Sequence, residues 1–260
     1  MAEKISGKAR LSQIRKLLES DRSVSIAELA RQFAVSEMTI RRDLDKLERS
    51  GQVQRTHGGA IPAERMDFVF DFLARRKTNI AAKQALAREA VKMVKPGDRV
   101  ILDTGTTTLE LAHLLKEMKK ITIITPSLAV ASELQFSPDI QTILLGGLLR
   151  RGQADLTGMI AETVLDMFTA DIAFEGSDGI GLDGTLYNSD LDYSNMHQKI
   201  RQRAERFYIL ADSSKIGKTQ LVRTGSLKTV DGLITDSRIE PAHRQALEKI
   251  GVKLIIVDLI

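Results

Sequence analysis

Between an apolar run and a helix-forming stretch, residues 101–112 read ILDTGTTTLELA. Asp103 ends the run, Gly105 interrupts it, and Thr106, Thr107 and Thr108 open the helical stretch. The start of a helix leaves backbone N–H groups without acceptors, and the helix dipole favours an anion there. Gly105 lets the backbone approach a ligand closely, and the hydroxyls add donors. The stretch therefore has the composition of a phosphate or carboxylate cradle. A plain strand-to-helix turn with a threonine cap accounts for one of the three threonines only. Four more apolar runs end in small or polar residues: Thr125-Pro126-Ser127, Gly146-Gly147, Gly176-Ser177-Asp178-Gly179 and Ala211-Asp212-Ser213-Ser214-Lys215. Lys215 suits a phosphate counter-charge or an exposed loop, and Asp103 and Asp178 suit sugar hydroxyls or turn caps. DSSKIGKT ends in Gly217-Lys218-Thr219, but Asp212 stands where a P-loop needs its first glycine, which argues against nucleotide hydrolysis.

A second constellation lies near the N-terminus. Ser36 precedes a helical pattern in which Ile40, Leu44 and Leu47 share one face. Burying that face leaves Glu37, Thr39, Arg41, Arg42 and Lys46 outside. Arginine pairs bidentately with guanine, and threonine meets a thymine methyl or a phosphate. Two arginines alone also suit a solvated helix face, so the surroundings decide. Leu11, Ile14, Leu17 and Leu18 predict one helix before it, and Ser25-Ile26-Ala27-Glu28 predicts a capping box opening another, with Ile26, Leu29 and Phe33 turned inward. Gly51 is placed to end the third helix. Two helices, a short FAVS turn and a third helix make a helix-turn-helix. Alternation through Val53, Arg55 and His57 before Gly58-Gly59 predicts a hairpin, a wing whose Arg55 and His57 face phosphate or the minor groove. His57 also suits packing, and no ligand-spaced cluster surrounds it, so no metal is expected.

Composition agrees. Of 260 residues, the first sixty hold 12 Lys/Arg against 8 Asp/Glu, which is the whole net charge of +4; the rest balance. A basic end of that kind points to nucleic acid. The chain has no cysteine, which excludes disulfides, thiolate catalysis and Cys-ligated zinc, and no apolar run approaches a membrane span. An intracellular, cytoplasmic location is expected.

From Ile80 onward, helical patterns alternate with the apolar runs RVILD, ITIIT, IQTILLG, DIAFEG, RFYILAD, DGLITD and KLIIVD. The fold class is α/β, a mainly parallel sheet covered by helices, after an N-terminal winged helix-turn-helix. Such sheets bind ligands outside the carboxyl ends of their strands. The expected division is 1–62 for the DNA-binding domain, 63–79 for a linker helix and 80–260 for the α/β domain.

The stretch SIAELARQFAVSEMTIRRDLDKLERSGQVQRTHGGA resembles the winged helix of the DeoR family of bacterial transcriptional regulators, and LDTGTTTLELA, GGLLR, IAFEGSDGI, ILADSSKIGK and DGLITD resemble that family's sensor domain. The resemblance implies a sensor similar to ribose-phosphate isomerase folds. It also implies a double-stranded DNA operator, a phosphorylated sugar-like effector, a homodimer or homotetramer, and neither cofactor nor membrane. It assigns DNA contact to Ser36, Thr39, Arg41, Arg42, Lys46, Arg55 and His57. Effector contact falls to Asp103, Gly105, Thr106, Thr107, Gly146, Gly147, Asp178 and Lys215, to which the helix start read from the residues themselves adds Thr108. Where many members carry a Glu-Ala and a Lys-Arg pair, this chain has Tyr193-Ser194 and His197-Gln198, which marks Tyr193 and His197 as candidates for an altered sugar contact. The rival reading is a sugar-phosphate isomerase with an appended DNA-binding end. Such an enzyme needs a base beside a carbonyl; Asp103 or Asp178 would serve, but no distinct acid–base pair accompanies them. RNA binding lacks an aromatic platform, aromatics being 4% of residues.

Overall fold

The computed structural model describes residues 6–21, 23–50, 52–56, 58–62, 72, 74–150, 153–191 and 193–259. Gly51, His57 and most of the expected linker helix lie outside the described residues; 74–77 are helical. The chain divides into two compact units, Met1–Leu73 with Arg151–Gln153, and Ala74–Arg150 with Ala154–Ile260. No helix of the described residues is long and apolar enough to cross a membrane.

In the first unit, α1 (Gly7–Asp21), α2 (Ile26–Gln32) and α3 (Glu37–Arg49) surround a core that includes Ile14, Leu29, Ile40, Leu44 and Leu47. Three short strands, β1 (Val24–Ser25), β2 (Val53–Arg55) and β3 (Gly59–Pro62), pair antiparallel in the order β1-β3-β2. The expected capping box does not form: the Ser25 side chain makes no cap hydrogen bond. Ser25 instead pairs with Gly59 across β1 and β3, and Ile26 N–H donates to Gly58 O at 2.9 Å, so the wing holds the start of α2. That crossing is tight. A Cβ on Gly59 would sit 1.8 Å from Val24 O, whereas Gly58 faces open space. The expected cap at Ser36 does form, its Oγ accepting from Thr39 N–H at 3.3 Å. Inside the bundle Arg10 Nε donates to Asp43 Oδ2 at 2.6 Å, a buried ion pair tying α1 to α3.

In the second unit all seven expected apolar runs become strands of one parallel sheet. They are β4 (Arg99–Leu102), β5 (Ile121–Thr125), β6 (Ile140–Leu144), β9 (Ala170–Gly176), β12 (Ala204–Leu210), β14 (Gly232–Asp236) and β15 (Leu254–Val257), ordered β15-β14-β12-β9-β4-β5-β6. Alternate residues serve the two faces. Val100, Leu102, Ile172 and Phe174 pack with α4 (Ile80–Val91), α5 (Thr106–Leu115) and α6 (Leu128–Leu134). Ile101, Ala173, Ile209 and Leu233 pack with α7 (Met159–Leu165), α8 (Ser194–Gln202) and α9 (Pro241–Lys249). Burial on both faces explains why these strands are apolar without alternation. Two features were not expected. One is a hairpin of β7 (Leu148–Leu149) and β8 (Leu156–Thr157). The other is an antiparallel sheet of β10 (Gly179–Ile180), β11 (Thr185–Asn188) and β13 (Val222–Ser226).

Candidate functional site

The surface of α3 carries the DNA-reading candidates. Ile40, Asp43, Leu44 and Leu47 are buried, and Arg42 and Lys46 are exposed. Arg41 is half-buried beside Glu37 at 3.6 Å, an i,i+4 pair. Ser36 and Thr39 share a hydroxyl contact of 3.0 Å at the helix start. Arg55, on the wing, pairs with Asp45 and donates its backbone N–H to Glu48 Oε1 at 3.1 Å, so the wing strand is braced on α3. The helix thus presents Thr39, Arg42 and Lys46 on one exposed side, with Arg41 and Arg55 held by neighbouring carboxylates.

In the second unit the parallel sheet brings the carboxyl ends of β12, β9, β4, β5 and β6 to one edge in that order. The loops named from the sequence come directly after these ends. At the centre, Gly105 is the N-cap of α5 with φ 137° and ψ 166°, a conformation that penalises any side chain. The Thr106, Thr107 and Thr108 N–H groups form the first turn behind it. Thr108 Oγ1 donates to Gly105 O at 3.1 Å, so that hydroxyl fixes the turn and the cradle's donors are mainly backbone. Gly146 and Gly147 lead from β6 into the β7–β8 hairpin.

On the β9 side, Asp178 accepts from Ser189 N–H at 3.1 Å and from Ser189 Oγ at 2.7 Å, and Arg75 Nη1 lies 4.0 Å away. Burial pushes the Asp178 pKa up, but Ser189, Lys215 and Arg75 outweigh it and hold the carboxylate below its usual range. Lys83, on α4, belongs to none of the sequence motifs. It is buried, its Nζ donates to Arg75 O, and burial lowers its pKa to about 8 against the pull of Asp212. Lys215 and Arg75 also act on Lys83. Three cations therefore gather where β9 and β12 end. The helical pattern does predict the burial of Lys83, which shares a face with Leu86, Ala87 and Ala90.

Beneath the cradle lies a buried polar cluster. The Tyr193 hydroxyl donates to Asp103 Oδ1 at 2.6 Å. His197 Nδ1 lies 3.0 Å from Glu175 Oε1 and 3.9 Å from Asp103 Oδ2. Arg201 Nη2 donates to Glu175 Oε1 at 2.8 Å, and the Arg150 guanidinium sits 4.6 Å from the centre of the Tyr193 ring. Asp103, Glu175, Tyr193 and His197 are all buried, so Tyr193 and His197 stand behind Asp103. Burial pushes the Asp103 pKa up to about 7, with Glu175 adding to it and His197 and Tyr193 opposing. Burial pushes Glu175 up as well, but His197 and Arg201 prevail and hold it below its usual range.

Donor atoms of Asp103, Glu175 and His197 lie within 4.8 Å of one another, the spacing of a metal site. Asn188 Oδ1 accepts from Asp190 N–H at 2.9 Å, which turns its amide nitrogen to His197 Nε2 at 2.7 Å. Nε2 therefore accepts, and the ring proton sits on Nδ1, between the two carboxylates.

A capped recognition helix with a wing, followed by a parallel sheet with a glycine-led helix start at one strand end and cations gathered beside the neighbouring ends, defines a class: a winged-helix transcriptional regulator with an α/β sensor domain. The comparisons agree. Residues 10–65 match the DeoR-like helix-turn-helix domain, and residues 78–237 match the DeoR C terminal sensor domain. The chain belongs to the DeoR family of transcriptional regulators, and it is a regulator rather than an enzyme. It is 35% identical over 250 residues to the uncharacterized HTH-type transcriptional regulator YulB of Bacillus subtilis, covering 96% of each chain. It is 31% identical over 229 residues to the glycerol-3-phosphate regulon repressor of Escherichia coli, covering 88% of this chain and 90% of that one. Its likeness to ribose 5-phosphate isomerase A of Methanocaldococcus jannaschii is distant, with a TM-score of 0.40 and 23% identity over 53% of this chain and 55% of that one.

Proposed function

We propose that this chain represses a carbohydrate-metabolism operon, and that a phosphorylated sugar or related metabolite, bound at the carboxyl edge of the parallel sheet, releases it from its operator. The phosphate sits on the N–H groups of Thr106–Thr108, with Lys215 and Lys83 as counter-charges, and Asp178 and Asp103 face the sugar hydroxyls. The observation that carries this reading is Gly105 at φ 137°: a conformation costly to any side chain, kept where a central strand meets the first turn of a helix. The relative named as a glycerol-3-phosphate regulon repressor supports an effector with a phosphate group. Two copies of α3 read the two halves of a pseudo-palindromic site, and the effector acts by preferring one arrangement of the sensor over another.

Thermal melts with a panel of sugar phosphates, each beside its dephosphorylated parent, test the sensor. A phosphorylated compound should raise the melting temperature and weaken a gel shift of the chain's own upstream region. Gly105→Val should abolish the rise while leaving the gel shift intact. Equal responses to phosphorylated and plain sugars would overturn the phosphate assignment.

A further inference from the structure

Met38 is the second residue of α3 and is 59% exposed. A single apolar side chain in water is ordinary on a protein surface; the place of this one is not. The N-terminal residues of a reading helix are those that reach base edges in the major groove. Around Met38 the first turn has already committed its polar groups. Thr39 is partly covered, its N–H donates to Ser36 Oγ at 3.3 Å, and its hydroxyl lies 3.0 Å from the same oxygen. Glu37 lies 3.6 Å from Arg41, one turn further on. Met38 is left as the large open side chain of that turn, and it carries neither a charge nor a hydrogen-bond donor.

Residues four apart share a helix face. Met38 therefore stands in line with Arg42, and Arg42 with Lys46, both exposed. The stripe begins with a thioether and continues with two cations. The cations suit guanine and phosphate. The thioether suits the apolar feature that a base edge offers in the major groove, the C5 methyl of thymine. Methionine is unbranched and polarizable, so it can settle onto such a group without a preformed pocket. Four residues of helix rise about 6 Å, less than two base steps of about 3.4 Å each.

We propose that Met38 reads the methyl group of a thymine lying within about two base pairs of the guanine met by Arg42. That contact separates thymine from cytosine at its position, and one orientation of the A·T pair from the other. The assignment rests on α3 lying in the major groove with Arg42 as a reader, and adds to it the chemistry of the helix's first turn.

Duplexes selected from a random pool by the full chain supply the site. Each thymine is exchanged in turn for deoxyuridine, which pairs alike and lacks the methyl. At one thymine of the half-site the exchange should weaken binding about fourfold, the worth of one buried methyl, in competition assays at fixed salt. Met38→Ala should abolish the difference between thymine and deoxyuridine at that position. Thr39→Ser, which keeps the cap hydroxyl and drops a methyl of its own, should retain the difference, and Arg42→Ala should bind more weakly with the difference intact. A site with no thymine sensitive to the exchange would overturn the contact, and so would a sensitivity that survives Met38→Ala or disappears in Thr39→Ser. In each of those cases a weakened Arg42→Ala leaves α3 in the groove. If Arg42→Ala also binds as tightly as the unaltered chain, the placement of α3 falls with the contact.

Discussion

The two units keep their charges in opposite places. The first unit holds an apolar core around one buried ion pair and sets Arg42, Lys46 and Arg49 exposed on the surface of α3. The second unit is close to neutral, with 24 Lys/Arg against 23 Asp/Glu, and buries a charged cluster: Asp103, Glu175, His197 and Lys83 lie inside, each answered by a named partner. Reading DNA calls for the first arrangement, since phosphate and base edges must be reached from outside. Recognising a small metabolite calls for the second, since buried polar groups interact strongly with one another and are costly to leave unmatched.

The sharpest way to break this contrast is to unbury a charge in the first unit. Asp43→Ala removes the carboxylate from Arg10 and should cost the winged helix about 3–5 kcal/mol, read as an earlier unfolding transition with DNA binding lost. The sensor's effector-induced melting shift should survive. Next in size, Arg42→Ala should weaken binding to a specific operator by about 1–3 kcal/mol and leave the melting of both units unchanged, because Arg42 is exposed. An unaltered affinity would remove Arg42 from the reading face. The smallest effect sharpens the account of the second unit. Burial raises the Asp103 pKa from 3.8 to about 7. A carboxyl raised in this way contributes stability that is complete below its unfolded pKa and lost as pH climbs through the folded one. The raised pKa of His197, where Glu175 and Asp103 overcome burial, acts in the same direction. Asp103→Asn should therefore stabilise the sensor above pH 7, and its advantage should shrink as pH falls toward 4. Parallel melting curves for the two proteins across that range would show Asp103 ionised throughout.

Legibility in the sequence divides along the same line. The recognition helix was readable because its buried face repeats every three or four residues and its exposed face is what remains. The seven parallel strands were readable because burial on both faces writes them as continuous apolar runs. Ser25 misled because the capping signature is local, whereas the strand that claims Ser25 arrives from Gly59, more than thirty residues on. The sheet of β10, β11 and β13 escaped notice since its strands are short and shift register between Leu186 and Tyr187. In the sensor, Asp103 was readable at its strand end, but its partners Glu175, Tyr193 and His197 come from β9 and the start of α8, and no spacing joins them. Glu175 did leave a trace, as a carboxylate set between Phe174 and Gly176 at the far end of the apolar run DIAFEG.

The crossing of β1 and β3 sets where the reading head can evolve. A side chain on Gly59 would collide with the Val24 carbonyl, while one on Gly58 would meet nothing within 4 Å. The wing therefore has a frozen root and a permissive tip. Libraries seeking new operator preferences can diversify position 58 along with 39, 42 and 46, and should leave 59 untouched.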